Sequence, residues 1–304
     1  MMDRLAAMQA FARVAETRSF SEAARRLNLS KSVVSRQVAA LECDLGVRLF
    51  NRTTRALALT EIGGAYYERV SRILADIAET ERSVGHLQAA PRGRLRVNAP
   101  MSFGILHLAP AIPDFLAAYP EVDVEMAMND RTIDLLEEGF DLAVRIGRLS
   151  DSSLVARRLA PVRLVVCAAP AYLAARGTPH TPADLKAHDC LLYTNADSPR
   201  DWRFATPEGA PWTVEVKGRL AANNGDTLRV AALAGQGIAR LPSFLVGRDL
   251  QAGSLVSLIP DYTQEDLAVH AVYPQSRLLS PKVRAFIDFL AARFGPRPYW
   301  DLVE

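Results

Sequence analysis

The chain has 304 residues, of which 49% are hydrophobic and 23% charged, and its formal net charge is +2. This composition is typical of a globular protein of two or three domains and excludes a disordered chain. Cys43, Cys167 and Cys190 lie too far apart for a disulfide scaffold, and no CxxC pair points to a thiolate zinc site. We expect a cytoplasmic protein, because the first residues carry charges unlike a secretory signal and no apolar window reaches the roughly 18 residues of a membrane span.

The positive charge is concentrated at one end of the chain. Residues 1–60 hold ten Lys and Arg against five Asp and Glu, whereas residues 61–90 carry a net charge of −2 and residues 91–304 carry −1. A small basic segment on a nearly neutral body predicts a polyanionic partner. Charge alone does not decide this, because such an excess also arises by chance in small domains.

Three short helices are predicted in the basic segment. Apolar residues follow helical spacing over about 3–17. Ser19 and Glu22 have the spacing of a capping box, which predicts a second helix over about 20–27. Ser30 is an N-cap for a third helix through about residue 43, and Gly46 marks its end. A short helix, a tight turn and a second helix form the plan of a helix-turn-helix motif.

The third predicted helix has an apolar stripe and a separate polar face. Small side chains, hydroxyl groups and cations on that face are the composition of a helix that enters the major groove of DNA. The candidate DNA-binding residues here are Lys31, Ser32, Val33, Ser35 and Arg36. The alternative is an amphipathic helix whose polar face contacts only water.

A β-hairpin is predicted directly after this helix, because a polar turn precedes the alternating residues Leu57 and Leu59. Such a hairpin would form the wing of a winged helix-turn-helix. Arg52 and Arg55 on it are candidates for contacts with phosphates or with the minor groove. The alternative is a hairpin whose arginines face water.

A long helix capped by Thr60 is predicted next. Its apolar residues recur at alternating intervals of four and three, a heptad seam typical of a helix that pairs with a second copy of the chain. The seam spans about 33 Å, close to the separation of about 34 Å between half-sites in successive major grooves. The candidate dimerisation residues are Tyr66, Val70, Ile73, Ile77, Val84 and Leu87. The alternative is a helix that packs on its own domain.

Strands and helices alternate in the rest of the chain, which predicts parallel β/α units. The strands are expected at 95–99, 122–128, 142–146, 162–168, 190–194, near 213–221 and at 267–273. The helices are expected at 105–119, 131–138, 226–234, 243–249 and 281–294. Strands at about 162–166 and 267–272 would cross between two lobes that hinge around a cleft. Ligands bind to such sheets at the carboxyl ends of the strands.

The basic segment and the long helix resemble LysR-type transcriptional regulators, and the resemblance extends over the full length. The residues that carry it are Ser19-Phe20-Ser21, Ala23-Ala24, Leu27, Val34-Ser35-Arg36-Gln37, Leu41-Glu42, Leu45-Gly46, Leu49-Phe50, Arg52, Arg55, Leu59-Thr60 and Gly63. It implies an α/β protein with an N-terminal winged helix-turn-helix (residues 1–60), a dimerising linker helix (61–90) and a two-lobed, periplasmic-binding-protein-like effector domain (91–304). Lobe I is expected at about 91–161 and 268–304, and lobe II at about 162–267.

The resemblance also implies partners. They are operator or promoter DNA, a small-molecule effector, and further copies of the chain in a dimer or homotetramer, with RNA polymerase as an additional candidate and no membrane. Positions matching Ser102, Asn129 and Ile146 line the cleft in this family. The candidate effector-binding residues are Met101, Ser102, Phe103, Asn129, Ile146, Gly147, Thr194, Asn223 and Pro242. Each has the alternative role of a helix cap or turn residue, and Arg145 is either a ligand anchor or the partner of Asp141.

An enzyme is the competing interpretation. The five histidines are scattered, and the sequence contains no HExxH, GxSxG or GxxxxGK(S/T) motif. We therefore predict no catalytic residue, no metal site and no cofactor. The alternative function is a small-molecule binding or catalytic protein with an incidental basic N-terminal domain. Cys167 is expected to be a buried thiol, and Cys190 a redox sensor only if it faces the cleft.

Overall fold

The structure is a computed structural model that describes residues 3–52, 57–85, 90–131, 133–148, 154–262, 267–275 and 279–301, without the side chains of residues 52, 76 and 79–85. The chain divides into two compact units, Met1–Ala89 and Ala90–Glu304. The predicted linker helix belongs to the first unit. The predicted effector domain corresponds to the second.

Three short helices open the N-terminal unit: α1 (Arg4–Thr17), α2 (Phe20–Arg26) and α3 (Lys31–Leu45). The hydroxyl of Ser19 accepts a hydrogen bond from the N–H of Glu22 at 3.2 Å, and that of Ser30 accepts from the N–H of Val33 at 3.3 Å, so both predicted N-caps are confirmed. The carboxylate of Glu22, the other half of the predicted capping box, instead binds Arg25 and Arg26. Gly46 ends α3 with φ +67°, as predicted.

The predicted hairpin and long helix follow. Strands β1 (Phe50–Arg52) and β2 (Leu57–Leu59) pair antiparallel, and α4 (Glu61–Gly85) begins where the N–H of Gly63 donates to the hydroxyl of Thr60 at 2.9 Å. A Cβ at position 63 would stand 2.0 Å from the carbonyl oxygen of Leu49, so this helix start requires glycine. The ring of Phe11 fills the core of the unit, 5.3 Å from Phe50 and 5.4 Å from Tyr66 between centroids.

Strands and helices alternate through the C-terminal unit. The strands are β3 (Gly93–Ala99), β4 (Val122–Met128), β5 (Leu142–Gly147), β6 (Leu154–Val162), β7 (Leu164–Ala168), β8 (Cys190–Tyr193), β9 (Asp201–Ala205), β10 (Pro211–Glu215), β11 (Ala221–Ala222), β12 (Ile238–Pro242), β13 (Val256–Leu258) and β14 (Leu267–Pro274). The helices are α5 (Met101–Phe103), α6 (Ile112–Ala118), α7 (Leu135–Glu138), α8 (Pro170–Arg176), α9 (Gly225–Leu233), α10 (Ser243–Gln251) and α11 (Pro281–Phe294).

Among the described residues, these strands form two five-stranded sheets and one further hairpin. The sheet of lobe I has the order β4-β3-β5-β14-β6, and that of lobe II has the order β11-β8-β12-β7-β13. Strand β3 runs parallel to β4 and β5, and β8 runs parallel to β11 and β12, as expected for β/α units. The remaining pairs in both sheets are antiparallel, and β9 and β10 form the separate hairpin.

The structure corrects several predicted elements. The helix expected at 131–138 is only α7 (Leu135–Glu138), because Asp134 caps it by accepting from the N–H groups of residues 136 and 137. The strands expected near 213–221 are β10 and β11, which belong to different sheets. The crossing strands are also different from those expected: β6 ends at Val162 in lobe I and β7 begins at Leu164 in lobe II, while β14 lies wholly in the lobe I sheet.

The helix expected from residue 105 begins earlier, at Met101, and continues through a π-helical turn and a 3-10 turn into α6. This segment, Met101–Ala118, has the length and mean hydropathy (1.3) of a membrane span, although the charged Asp114 lies within it. Phe103, Leu108 and Phe115 on it are fully buried in the protein's own core. The buried share of this window is 39%, and length and composition alone are weak evidence for a span.

Candidate functional site

The predicted DNA-binding face lies on the outside of α3. Lys31, Ser32 and Arg36 are exposed, while Val33 and Ser35 are half-buried at its margin. The apolar stripe on the other side, which includes Val34, Val38 and Leu41, is fully buried in the N-terminal core. The helix is thus held by one face and presents two cations and small hydroxyl side chains on the other. This arrangement matches what a helix needs for the major groove.

Glu42 joins α3 to the hairpin and was not singled out from the sequence. One oxygen of its carboxylate, Oε1, accepts hydrogen bonds from the backbone N–H groups of Leu49 and Phe50, at 2.8 and 3.1 Å. These bonds fix the start of β1 against the end of the candidate recognition helix. The hairpin predicted as a wing is present, but the side chain of Arg52 and the whole of Arg55 lie outside the described residues.

A second cationic group lies on α2, next in sequence to the candidate recognition helix. The guanidinium groups of Arg25 and Arg26 donate hydrogen bonds to the carboxylate of Glu22, which lower the pKa of that carboxyl to about 2. Both arginines are exposed, so α2 presents a net positive charge with its members held in position. The i, i+3 and i+4 spacing in the sequence was the signal that could have found this group.

Part of the predicted dimerisation seam packs against the core of its own unit. Val70 is 1% exposed and Tyr66 packs on Phe11, because the first half of α4 completes the core of its own unit. Val70 thus packs on its own domain, and Tyr66, which is half-buried, contacts the same core. Ile73 is 44% exposed and Ile77 is half-buried. The side chain of Val84 and the whole of Leu87 lie outside the described residues.

Hydrogen bonds cross the cleft between lobe I and lobe II at the amino ends of α5 and α9. The hydroxyl of Ser102 donates to Oδ2 of Asp226 at 2.5 Å. The N–H of Met101 donates to Oδ1 of Asp130 at 2.9 Å, and the side-chain amide of Asn224 donates to Oδ2 of the same carboxylate at 3.2 Å. Asp130 therefore holds a backbone N–H of its own lobe with Oδ1 and reaches lobe II with Oδ2.

Asn195 adds a third connection across the cleft. Its side-chain amide donates to the carbonyl oxygens of Asp130 and Asn223, at 3.0 and 3.1 Å. The structure thus brings the predicted residues Met101, Ser102 and Asn223 together. The partners Asn195 and Asp226 were not predicted, because neither is recognisable without knowing which strand ends face each other.

The other predicted effector-binding residues have varied environments. Asn129 donates its backbone N–H to the carbonyl of Ala99 at 3.0 Å, while its side-chain oxygen is buried without a hydrogen-bond partner. Ile146 packs against the core at the end of β5, beside Gly147. Thr194 is exposed and bonded through its backbone to Ala222. Pro242 ends β12 and precedes α10.

Phe103 requires a correction. Its side chain is 0% exposed and lies in an aromatic cluster, with its ring 5.1 Å from Phe244 and 5.6 Å from Trp300 between centroids. The ring thus packs the base of α5 instead of lining the cleft.

Beside it, Nε2 of His107 bonds the carbonyl of Phe244 at 3.1 Å and Nδ1 bonds the hydroxyl of Tyr299 at 2.7 Å. Burial lowers the pKa of His107, so its neutral form joins these elements.

Arg145 differs from one of its two expected roles. Nη1 of Arg145 donates to the side-chain oxygen of Asn98 at 2.7 Å, whereas Asp141 binds the backbone N–H of Arg96 and the ammonium of Lys282. The predicted Arg145–Asp141 pair is therefore wrong. Cys167 is buried as expected.

Cys190 does not face the cleft. It packs among Leu185, Leu192 and Ile238 in a separate core of lobe II. Burial raises the pKa of its thiol to about 12, so the reactive thiolate of a redox sensor is disfavoured. Among the residues that the structure describes, no three His, Cys, Asp or Glu side chains come together as a group that could hold a metal ion.

Comparison with known proteins places these features in a family. Residues 5–64 match the model for the bacterial regulatory helix-turn-helix protein, lysR family, and residues 88–295 match the model for the LysR substrate binding domain. The chain is 41% identical to an HTH-type transcriptional regulator of Haemophilus influenzae, over 93% of this chain and 98% of the relative. It is 38% identical to the HTH-type transcriptional regulator PtxR of Pseudomonas aeruginosa, over 96% of this chain and 93% of PtxR.

A full-length structure gives the same result. CrgA, a LysR-type transcriptional regulator from Neisseria meningitidis, is 37% identical and superimposes with a TM-score of 0.60, over 94% of this chain and 97% of CrgA. The match covers both the helix-turn-helix unit and the two-lobed unit. The chain therefore belongs to the LysR family of DNA-binding transcriptional regulators, with an N-terminal helix-turn-helix domain and a C-terminal effector-binding domain.

Proposed function

We propose that α3 reads operator or promoter DNA through Lys31, Ser32, Val33, Ser35 and Arg36, with the arginines of the hairpin, Arg52 and Arg55, on the flanking backbone or minor groove. The observation that carries this is the division of α3 into one buried and one exposed face. Cations on such a face release counterions from the DNA backbone, and an arginine can form a bidentate contact with guanine. In this assignment residues 1–60 are the DNA-binding domain, 61–90 the linker and 91–304 the effector domain.

The cleft between lobes I and II is the proposed effector site. Support comes from the side chains of both lobes that meet there, Ser102 and Asp130 from lobe I with Asn224 and Asp226 from lobe II. An effector that exchanges these hydrogen bonds for its own changes the relative free energies of open and closed lobes. Through that difference, it alters how two helix-turn-helix units are spaced on DNA.

Assembly is assigned to α4. The side chain of Ile73, at 44% exposure, continues from the buried Val70 along the same seam, so a second copy of the chain can cover it. Members of a dimer or tetramer then place two α3 helices on successive half-sites. A cytoplasmic protein that binds promoters in this way is also positioned to contact RNA polymerase.

A gel shift on the DNA upstream of the protein's own gene, at roughly 100 mM salt, tests the proposal. We expect a sequence-specific complex, and Arg36→Ala weakens it by about 1–3 kcal/mol if the guanidinium contacts a base. The control is Arg284→Ala, which removes an exposed arginine from α11 in the effector domain. An Arg36→Ala protein that binds as the wild type does, or the lack of any specific complex, would favour a binding protein without a DNA target.

A further inference from the structure

In the hydrogen bonds at the cleft near α5 and α9, the charged side chains are all acceptors. Two carboxylates, those of Asp130 and Asp226, take part, together with the carboxamides of Asn195 and Asn224 and one hydroxyl. None of the side chains in these particular bonds is a cation. The two formal negative charges there therefore have no positive side chain bonded to them in these hydrogen bonds, although Arg229, whose guanidinium is bonded to Asp249, interacts electrostatically with Asp226.

The hydroxyl of Ser102, which an anionic ligand would need as a hydrogen-bond donor, already donates to Asp226. Asp226 stands in the first turn of α9, where the partial positive charge of the helix terminus stabilises a carboxylate. The lobes meet at this point, because a Cβ at Gly225 of lobe II would lie 4.0 Å from the hydroxyl oxygen of Ser102 of lobe I, an ordinary van der Waals distance. A ligand carboxylate on Ser102 would thus compete with Asp226 and lie directly beside a like charge.

Asp130 and the preceding Asn129 carry further acceptor oxygens. Asp130 uses both carboxylate oxygens to hold a backbone N–H of lobe I and an amide of lobe II. Asn129, the preceding residue, has its side-chain oxygen buried without any hydrogen-bond donor. A buried acceptor without a donor costs free energy that a ligand donor would recover. This unpartnered oxygen belongs to the residue that follows β4 and precedes Asp130.

We propose that the cleft selects an effector that donates hydrogen bonds and carries no net negative charge, an amine or a polyhydroxyl compound, with Asp226 and Asp130 as its specificity-determining acceptors. This inference rests on the proposed function, since it names the ligand class of the proposed effector site. An ammonium or hydroxyl group can bind between the two carboxylates and exchange for the present Ser102 and Asn224 donors. An organic acid instead adds a third negative charge to the same space.

The test measures binding of matched probes to the full-length protein. The probes are benzylamine against benzoate, 1,4-diaminobutane against succinate, and xylitol as a neutral polyol, with the melting temperature and calorimetric titration as readouts. We expect at least one amine or the polyol to raise the melting temperature and to bind at least tenfold more tightly than the acids. Asp226→Asn should weaken the amine at least tenfold, and Asp201→Asn, which removes an exposed carboxylate at the start of β9, should leave it unchanged.

Two results would overturn the proposal. One is stabilisation of the wild type by benzoate or succinate that disappears in Ser102→Ala. The other is that neither the amines nor the polyol raises the melting temperature of the wild type, or that they raise it equally in Asp226→Asn and Asp130→Asn. DNA binding is measured on the same preparations. If the ligand results contradict the proposal but the Arg36-dependent DNA complex still forms, the proposed ligand class is wrong and the regulator function is unaffected.

Discussion

The carboxylate of Glu42 accepts a hydrogen bond from the backbone N–H of Leu49 at 2.8 Å, and so joins the end of α3, the candidate recognition helix, to the hairpin that follows it. The same oxygen also accepts from the N–H of Phe50. Glu42 is half-buried at this junction. The relative position of helix and hairpin therefore depends on one side chain as well as on the apolar core beneath it.

Glu42→Ala leaves two backbone donors without this acceptor. We expect a loss of about 1–3 kcal/mol in the stability of the N-terminal unit, because unsatisfied part-buried donors carry their desolvation cost. DNA affinity should fall as well, since the wing is no longer fixed against α3. Thermal unfolding and a gel shift measure the two effects. Glu16→Ala, which breaks only the exposed pair with Arg13, is the matched control and should change stability by less than about 1 kcal/mol. Equal effects of the two variants would contradict this role of Glu42.

Lys31 and Arg36 should differ in how they contribute to DNA binding. Lys31 is exposed at the first position of α3, where an ammonium group can bind phosphate as a point charge. Lys31→Ala should weaken binding to all sequences alike and lower the salt dependence of the binding constant by about one ion. Affinities measured over a series of salt concentrations, on specific and scrambled DNA, give both quantities. A loss confined to the specific sequence would instead assign Lys31 a base contact.

Val70 and Ile73 separate the two roles of α4. Val70→Asp buries an unpaired charge in the N-terminal core, so we expect it to unfold this unit at a cost above about 3 kcal/mol. Ile73→Asp changes a side chain that is 44% exposed, so it should keep the helical circular dichroism of the wild type. Its assembly, measured by light scattering at micromolar concentration, should be weakened. If Ile73→Asp assembles as the wild type does, Ile73 lies outside the interface.

His107 should make stability depend on pH. Burial lowers its pKa below the usual value of 6.5, so the folded state keeps the ring neutral with Nε2–H donating to Phe244. As pH falls below 6.5, the unfolded chain binds a proton that the folded chain does not, and stability is lost until the pH reaches the lowered folded pKa. The melting temperature of the wild type should therefore fall more between about pH 7.5 and about pH 5.5 than that of His107→Gln, in which this group does not titrate. His188 and His270, whose pKa values are also lowered by burial, are the same in both proteins and cancel in the comparison. Parallel pH profiles of the two proteins would show that His107 makes no such contribution.

Features that depend on neighbours within a few residues could be predicted from the sequence. The hydroxyl caps at Ser19 and Ser30, the glycine stop at Gly46 and the buried stripe of α3 all lie where the sequence placed them. Each arises from hydrogen bonds or apolar periodicity within one or two helical turns. The exposed cations of α3 follow directly, because a helix with one buried stripe must present its other face.

Contacts between distant residues were decided by the tertiary structure. Ser102 and Asp226 are 124 positions apart, and Arg145 and Asn98 are 47 apart. Nothing in the local sequence shows that Asp226 reaches the Ser102 hydroxyl, or that Arg145 finds an amide instead of the nearby Asp141. Val70 has the same heptad spacing as Ile73, yet it is buried by α1 of its own chain. By itself, the sequence determined the three short helices of the N-terminal unit, their serine caps and the family. The tertiary structure decided which apolar side chains stay exposed and which polar groups meet across the cleft. The reason is that strand order and helix packing bring together residues that no short-range pattern relates.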